Sequence, residues 1–267
     1  MTGRSIYDDI ADRTNGEFMI GVTGPVRTGK STFIKRFIES AVLPRMEGEY
    51  ERTQLRDELP QSAGGRTVMT AEPKFIPDEA ASVVLPSGGT LKMKMIDCVG
   101  YLVPSALGAE ENGEVRMVHT PWDETPKPFE EAAEEGTRRV IRDHSTIGIL
   151  VTSDGSFGDI ARDDFVDAEE RVARELRESG KPFVVVVNTQ DAKKGQADAI
   201  CARIRAEYGV QALTMDCAVM QTQDIARLLE AVMYAFPVEE LRFLLPSWVR
   251  ARPDDHPVKA ALYDAML

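Results

Sequence analysis

Cysteine is scarce in this chain. Three residues, Cys98, Cys201 and Cys217, are scattered over 267 positions. Cysteines so few and so far apart exclude a disulfide framework and a zinc site built on paired thiolates. Free thiols are typical of a reducing compartment, so we expect the protein in the cytoplasm.

Long apolar runs are also absent. No stretch reaches the roughly 18 consecutive apolar residues that indicate a membrane-spanning helix, so we expect no membrane span. The first 16 residues, MTGRSIYDDIADRTNG, include acidic side chains and lack an apolar core. They therefore do not form a secretory signal.

Positive charge is in deficit. The chain has 32 Lys and Arg residues against 44 Asp and Glu residues, a net charge of −12. An acidic chain repels nucleic acid, and its basic residues are dispersed, so we expect no nucleic-acid partner. The proportions of hydrophobic residues (43%) and charged residues (28%) are typical of a globular fold.

A phosphate-binding motif stands near the N-terminus. Residues 24–32, GPVRTGKST, match G-x-x-x-x-G-K-[ST] in full. An apolar run at 18–24 predicts a buried strand before the motif, and helical spacing of apolar residues from 33 to 42 predicts a helix ended by Pro44. In this context backbone N–H groups face phosphate oxygens. We expect the following residues to bind a nucleotide: Gly24, Arg27, Thr28, Gly29, Lys30, Ser31 and Thr32.

A second motif supplies the partner of that loop. Lys30 is expected to reach the β and γ phosphates, and the Ser31 hydroxyl to ligate Mg²⁺. A glycine-linked hairpin is predicted over 81–97, and it ends in Asp97-Cys98-Val99-Gly100. Asp-x-x-Gly at the end of a strand holds magnesium through the carboxylate and senses the γ-phosphate through the glycine amide. We therefore assign these roles to Asp97 and Gly100.

The interval between helix and hairpin, residues 64–77, contains several small residues and is rich in threonine. Such composition is typical of a surface loop. In phosphate-binding switches, however, this interval supplies a threonine that closes over magnesium and the γ-phosphate. Thr70 is our first choice for this catalytic and metal-binding role, and Thr67 is the second.

Downstream, apolar runs alternate with helical patterns, which indicates a parallel sheet covered on both faces. The strands are predicted at 146–153, 183–188 and 211–216, and the helices at 164–180, 196–209 and 222–236. The sequence thus predicts a three-layer α/β fold, a P-loop NTPase of the translation-factor-like GTPase type. Its sheet is expected to be mostly parallel with one antiparallel edge strand.

We expect this NTPase domain at residues 1–240, and at 241–267 the truncated start of a following middle region. A long connection is predicted at 101–137. Connections of this length are usually functional or disordered. For its His119 and Trp122 a packed, structural role is favoured over contact with nucleotide or a neighbouring subunit.

The identity of the base stays open at this stage. Residues 188–191 read Asn-Thr-Gln-Asp, where guanine-specific enzymes have Asn-Lys-x-Asp. Asn188 and Asp191 are expected to bind the base, but the missing lysine weakens guanine recognition. Tyr101 stands where many such enzymes place a water-orienting glutamine. Pro25 hinders an incoming arginine finger, and Arg27 either supplies charge in cis or faces solvent.

Several stretches resemble the stage IV sporulation protein A family of spore-coat morphogenetic ATPases. They are TGPVRTGKSTFIKRF, DELPQSA, MTAEPKFIP, DCVGYLVP, TPWDE, EEGTRRVIRDHSTIGILVTSDGSFGDIAR and LPSWV. The resemblance implies Mg²⁺-dependent ATP hydrolysis that drives self-polymerisation into the basement layer of the coat, in the mother-cell cytoplasm on the outer forespore surface. By position, Lys30 and Ser31 match the family's phosphate loop, Asp97 its magnesium aspartate and Thr70 its sensor threonine.

The resemblance also implies partners for the full-length protein: a second copy of itself, a small membrane-bound amphipathic peptide and coat-encasement proteins. The C-terminal portion that binds the peptide and the encasement proteins is expected to be missing here. Two other functions remain open. One is a regulatory GTPase switch. The other is a scaffold that binds nucleotide without hydrolysis, which Tyr101 and Pro25 favour because neither assists the chemistry.

Overall fold

The fold was determined from a computed structural model, which describes residues 5–60, 72–85, 88–111, 113–190, 195–237 and 245–266. The chain divides into two compact units, Met1–Phe236 and Pro237–Leu267. The larger unit contains all the strands given below. In the smaller unit, Lys259 Nζ lies 2.7 Å from Asp254 Oδ1.

Ten strands are defined in the described part of the chain. They are β1 (Glu17–Thr23), β2 (Lys74–Val84), β3 (Thr90–Asp97), β4 (Glu110–Glu111), β5 (Glu114–Val115), β6 (Met117–Val118), β7 (Lys127–Pro128), β8 (Ile147–Ser153), β9 (Phe183–Asn188) and β10 (Ala212–Met215). The short strands pair as two antiparallel ribbons, β4 with β5 and β6 with β7. The other six strands form the central sheet.

Nine α-helices are defined in the same residues. They are α1 (Ile6–Arg13), α2 (Lys30–Phe37), α3 (Glu49–Glu58), α4 (Phe129–Arg139), α5 (Arg162–Glu178), α6 (Gln196–Tyr208), α7 (Thr222–Ala235), α8 (Ser247–Arg250) and α9 (Pro257–Met266). A π-helical turn extends α2 over Ile38–Val42, and another extends α4 over Val140–His144. Within the described ranges, no helix combines the length and apolarity needed to cross a membrane.

The central sheet has the order β10-β9-β8-β1-β3-β2. Its strands pair in parallel except for β2, which runs antiparallel to β3 at the edge. The predicted fold class is therefore confirmed. Because β3 and β8 flank β1 on opposite sides, chain direction through the sheet reverses at β1. Ligands of open α/β sheets bind outside the carboxyl ends of the strands at such a reversal.

Both faces of the sheet are buried, which is why its strands read as continuous apolar runs. In β9, Val184 and Val186 pack in the core with helices α1, α2 and α7. Val185 and Val187 point to the opposite face and pack in the core with α5 and α6. Burying one such valine contributes about 1.5–3 kcal/mol. After residue 140, the predicted strands and helices lie within two residues of the observed bounds.

The structure corrects the prediction in the first half of the chain. Helix α4 occupies the last part of the predicted connection 101–137. Its buried face follows helical spacing, but most of its members are small and give little hydrophobic signal: Phe129, Ala132, Ala133, Gly136 and Thr137. Similarly, α3 was not predicted because Leu55 is its only buried residue in a charged sequence.

The edge strand β2 also departs from the prediction. It begins at Lys74, inside the interval 64–77 that was interpreted as a loop. Its pairing with β3 shifts register between Ile76 and Ala81, so the alternation of apolar residues that marks a strand is interrupted there. Helical structure also continues one residue past Pro44, because a proline is tolerated in the first turn of the 3₁₀ segment Leu43–Arg45.

Candidate functional site

The phosphate loop joins β1 to α2 at the carboxyl edge of the sheet. Two of its glycines have positive φ, 134° at Gly24 and 92° at Gly29. A Cβ at Gly24 would lie 2.2 Å from the Val151 carbonyl oxygen, and one at Gly29 would lie 2.3 Å from Asn188 Nδ2. A side chain at either position would therefore force the loop away from β8 or from Asn188.

Lys30, the first residue of α2, is buried inside the loop. Its ammonium donates hydrogen bonds to the carbonyl oxygens of Pro25 (2.7 Å) and Gly24 (3.4 Å). Burial lowers the lysine pKa to about 8, although the negative charge of Asp97 opposes this shift. A charged group held by backbone carbonyls in a desolvated loop is favourably placed to bind an incoming anion.

Ser31 and Asp97 meet where α2 begins and β3 ends. The serine hydroxyl donates a hydrogen bond of 2.6 Å to Asp97 Oδ2. The parallel register of β1 and β3, in which Val22 lies opposite Asp97, brings the two motifs to the same edge. Burial raises the pKa of the Asp97 carboxyl, and the bond from Ser31 and the charge of Lys30 lower it in part. The pair presents two oxygen ligands of the kind that Mg²⁺ prefers.

Gly100 packs directly against the phosphate loop. Its φ is 88°. A Cβ there would lie 2.0 Å from the Gly24 carbonyl oxygen and 2.7 Å from Lys30 Nζ. The backbone N–H of Gly100 donates to Thr137 Oγ1 at 3.3 Å. Thr137 was not predicted, since it lies 37 residues away on α4 and no local motif includes it.

Tyr101 follows Gly100, but its ring is fully buried on the side of α5. Its backbone forms two hydrogen bonds with the phosphate loop: its N–H donates to Gly24 O at 3.2 Å, and its carbonyl accepts from Val26 N at 2.8 Å. The hydroxyl donates to the Glu175 carboxylate, and Arg171 lies 5.0 Å from the ring centroid. The tyrosine therefore braces the loop, in agreement with the expectation that it does not orient water.

Asn188 braces the loop from the end of β9. Its side-chain Nδ2 donates to Thr28 O at 2.9 Å, and its Oδ1 accepts from Cys217 N at 3.0 Å. The adjacent Thr189 is also buried, with its hydroxyl 3.4 Å from Ser156 Oγ. Binding of the base by Asn188 stays a prediction. Asp191, predicted to bind the base as well, lies outside the described residues.

The two threonines predicted for the switch role, Thr67 and Thr70, also lie outside the described residues. Arg27 has a φ of 65° and is half-buried, and burial lowers its pKa. Thr32 is half-buried in the first turn of α2. The structure brings the remaining predicted residues together around one loop: Gly24, Arg27, Thr28, Gly29, Lys30, Ser31, Thr32, Asp97, Gly100 and Asn188.

A buried ion network supports the segment that follows β8. Glu169 is fully buried and accepts hydrogen bonds from Thr152 (2.6 Å), Arg162 (2.7 Å) and Arg203 (3.1 Å). Arg162 also donates to the Ser153 carbonyl at 3.1 Å. Sequence reasoning missed this network. The signal was a glutamate on the apolar face of α5, which it shares with Phe165, Ala168, Val172, Ala173 and Leu176.

The segment 101–128 packs through its tryptophan on α4. Arg139 stacks over Trp122 at 5.3 Å from the ring centroid, and it also pairs with Glu135 at 2.9 Å. Lys127 lies 2.7 Å from the same glutamate. His119 is exposed. These contacts favour the packed, structural role expected for Trp122. The three cysteines are free and buried.

Comparison with known proteins shows the family of this chain. The sequence model described as "Stage IV sporulation protein A, ATPase domain" matches residues 1–237. Stage IV sporulation protein A of Bacillus subtilis (strain 168) is 48% identical over 251 residues, 94% of this chain and 51% of that protein. Its namesake in Clostridioides difficile (strain 630) is 46% identical over 258 residues, 97% of this chain and 52% of that protein.

Among solved structures, a crystal structure of an SsGBP variant has a TM-score of 0.44 and 14% identity, covering 84% of this chain and 57% of that one. The chain spans about half the length of the curated relatives it matches. The family match extends over the whole sheet and the phosphate loop. The chain belongs to the stage IV sporulation protein A family.

Proposed function

We propose that this chain is a Mg²⁺-dependent ATP hydrolase whose turnover drives a conformational change and self-polymerisation into the basement layer of the spore coat. The observation that carries the proposal is the Ser31–Asp97 hydrogen bond of 2.6 Å beside a buried lysine. This arrangement joins the two motifs of a phosphoryl-transfer site in one place. The family's description as an ATPase domain supports it.

The oxygen ligands at the loop fit magnesium. Mg²⁺ is usually bound by one or two carboxylates together with substrate phosphates and water. Ser31 and Asp97 would hold it here, with Thr70 as the proposed third protein ligand. Among the described residues there is no cluster of three or more His, Cys, Asp or Glu side chains, as a transition-metal site would need. When bound, magnesium neutralises charge on the β and γ phosphates.

Each residue of the loop has a separate task in this proposal. The backbone N–H groups of the loop and of the α2 N-terminus bind phosphate oxygens. The Lys30 ammonium neutralises charge that develops on the bond between the β and γ phosphates. The Gly100 amide binds the γ-phosphate. Because the Tyr101 side chain is committed to α5, the attacking water is oriented by another group, and Thr70 is the residue proposed for it.

ATP rather than GTP is proposed as the substrate. In guanine-specific enzymes of this type a lysine packs over the base, and here Thr189 takes its place as a short, buried side chain. Both polar atoms of the Asn188 side chain are hydrogen-bonded to backbone groups, one in the phosphate loop and one after β10. Asp191 is the remaining residue proposed to contact the base.

The assembly role concerns the whole protein. By family membership we propose a second copy as the partner of this region, on the outer forespore surface in the mother cell. For the full-length protein we further propose a small membrane-bound amphipathic peptide and coat-encasement proteins. Loss of the γ-phosphate would reshape residues 60–77 and 100–137 and with them a surface used for self-assembly.

The first experiment is phosphate release by the protein with ATP and with GTP, in Mg²⁺ and in excess EDTA. We expect turnover of ATP that EDTA abolishes. Lys30→Ala should abolish it too, whereas Lys35→Ala, about one and a half turns further along α2, should retain it. Turnover of GTP alone would replace the proposal with a regulatory switch. Binding of ATP without phosphate release would replace it with a nucleotide-binding scaffold.

A second variant tests the threonine assignment. Thr70→Ala should bind ATP with wild-type affinity but release phosphate at less than a tenth of the wild-type rate, a typical effect of losing one preorganised group. Thr67→Ala is the matched control and should turn over normally. Normal turnover by Thr70→Ala would show that the assignment is wrong.

A further inference from the structure

The Gly100 amide, which is proposed above to bind the γ-phosphate, already has a partner within the protein. It donates to Thr137 Oγ1 at 3.3 Å. Thr137 is fully buried in α4, so water does not compete for this bond. The hydroxyl proton is used separately, in a bond of 2.8 Å to the Ala133 carbonyl oxygen. The threonine is thus held in a rotamer that presents a lone pair to Gly100.

In this bond a phosphate oxygen could replace the Thr137 oxygen as the acceptor. At 3.3 Å it is longer than the usual 2.7–3.2 Å of N–H···O bonds and is therefore weak. The negatively charged oxygen of a phosphate is the stronger acceptor, since charge-assisted hydrogen bonds are roughly twice as strong as neutral ones. A γ-phosphate in reach of Gly100 would accordingly displace the threonine oxygen.

The Gly100 backbone also lies beside the loop ammonium that is proposed to bind the same nucleotide. A Cβ on Gly100 would lie 2.7 Å from Lys30 Nζ, so the glycine backbone and the loop ammonium adjoin the same space. ADP has no γ-phosphate and leaves the amide with Thr137. The bond is thus sensitive to the one group that distinguishes ATP from its product.

Among the described residues, the ion pairs between α4 and α5 are partly exposed. The Glu134–Arg171 pair (2.7 Å) and the Arg138–Glu175 pair (3.8 Å) each have an arginine that is more than two-fifths exposed. Such surface ion pairs contribute little to stability. The threonine bond, by contrast, links a buried amide of the phosphate site to a helix that carries the 101–128 segment through Trp122 and Lys127.

We infer that Thr137 is a positioning residue that competes with the γ-phosphate for the Gly100 amide, so that ATP, and not ADP, loosens α4 from the phosphate loop. The inference rests on the proposed function and extends it by naming the residue that receives the signal. Once phosphate is released, the Gly100 amide again donates to Thr137 and α4 packs against the phosphate loop as before.

The test compares the affinity of the 267-residue protein for a non-hydrolysable ATP analogue and for ADP, by calorimetry in Mg²⁺. In Thr137→Val the methyl group keeps the shape of the side chain and removes the competing oxygen. The ratio of analogue affinity to ADP affinity should therefore rise about two- to tenfold, the value of one neutral hydrogen bond. Thr137→Ser restores the oxygen and should restore the wild-type ratio.

Ser145→Ala is the matched control. Ser145 is buried at the end of the same helical segment, and its hydroxyl donates to the Ile141 carbonyl at 2.8 Å, as Thr137 does to Ala133. Loss of such a bond alone should leave the ratio unchanged. An unchanged ratio in Thr137→Val, or an equal rise in Ser145→Ala, overturns the inference.

Hydrogen–deuterium exchange of wild-type α4 gives a second readout that requires no variant. Exchange of residues 129–139 should be faster with the ATP analogue than with ADP, and equal exchange overturns the inference. Phosphate release is measured on the same samples. Wild-type turnover together with an unchanged ratio in Thr137→Val rejects the role of Thr137 alone, whereas absence of ATP binding in the wild type rejects the proposed function with it.

Discussion

The side-chain amide of Asn188 donates a hydrogen bond of 2.9 Å to the carbonyl oxygen of Thr28, inside the phosphate loop. The other end of the same side chain accepts from the backbone N–H of Cys217, after β10. One buried residue thus fixes the loop relative to two strand ends. We therefore expect Asn188 to affect nucleotide binding through the shape of the loop.

Asn188→Ala should weaken ATP and ADP binding alike. The substitution leaves two buried backbone groups without partners, which costs about 1–3 kcal/mol for each group and loosens the loop. We expect both affinities to fall by at least tenfold in calorimetry. Gln190→Ala, an exposed neighbour, is the control and should bind normally. Weakened binding of ATP with unchanged binding of ADP would contradict this account.

Gly100→Ala should nearly abolish turnover. Its Cβ would meet the Gly24 carbonyl oxygen at 2.0 Å, so the loop must move, and displacement of catalytic groups by about 1 Å costs on the order of 100-fold in rate. Gly180→Ala separates strain from contact. Gly180 also has a positive φ, 69°, but a Cβ there meets nothing within 4 Å.

Both glycine variants should therefore lose about 1–2 kcal/mol of unfolding free energy from backbone strain, but only Gly100→Ala should lose activity. Urea unfolding and steady-state phosphate release measure the two effects. If Gly180→Ala were as inactive as Gly100→Ala, the loss would come from instability, and the contact with the loop would not explain it.

Tyr101→Phe should affect stability and leave chemistry intact. It removes the hydroxyl that bonds to Glu175 but keeps the buried ring and the backbone bonds to the loop. We expect a loss of about 1–2 kcal/mol in urea unfolding, since hydrogen bonds to charged groups contribute somewhat more than neutral ones. The turnover number should stay within a factor of two.

Tyr101→Gln tests the position from the other side, because glutamine is the residue that orients water in many related enzymes. Here the side chain points toward α5, so the amide would be buried without gaining access to the nucleotide. We expect about 2–5 kcal/mol of destabilisation and no increase in turnover. A faster enzyme would show that this position faces the phosphates during catalysis.

Asp97→Asn should separate function from stability. Burial raises the pKa of the Asp97 carboxyl, so the folded protein disfavours its charged form. An amide of the same shape still accepts the bond from Ser31 and carries no charge to bury. We expect the urea midpoint in EDTA to equal or exceed that of the wild type, while Mg²⁺-dependent turnover is lost. A clearly lower midpoint would contradict the assigned cause.

Local sequence was sufficient for the elements whose signal lies in consecutive residues. The strand, loop and helix around Lys30 and the Asp-x-x-Gly after β3 are short patterns, and the structure brings both to one edge of the sheet. Strands such as β9 were predictable because burial on both faces requires an uninterrupted apolar run.

Prediction was poorer where burial selected small or charged residues. Helix α4 buries two alanines, a glycine and a threonine, which carry little hydrophobic signal, although their spacing is helical. Glu169 is a charged residue on a buried face, and its hydrogen bonds from Thr152, Arg162 and Arg203 explain why it is there. Arg162 lies seven residues before Glu169 on α5 and Arg203 lies on α6, so the network joins two helices and the apolar pattern of α5 alone does not reveal it.

The sequence by itself determined the chemistry of the site: a lysine, a serine, an aspartate and a glycine at motif spacing, and a sheet made of apolar strands. Tertiary structure decided how that chemistry is held. Tyr101 turns toward α5, Asn188 bonds across 160 residues to Thr28, and Thr137 meets Gly100 across 37. These bonds form only after the sheet has brought distant segments together, and each joins single polar groups. Spacing along the chain carries no information about them.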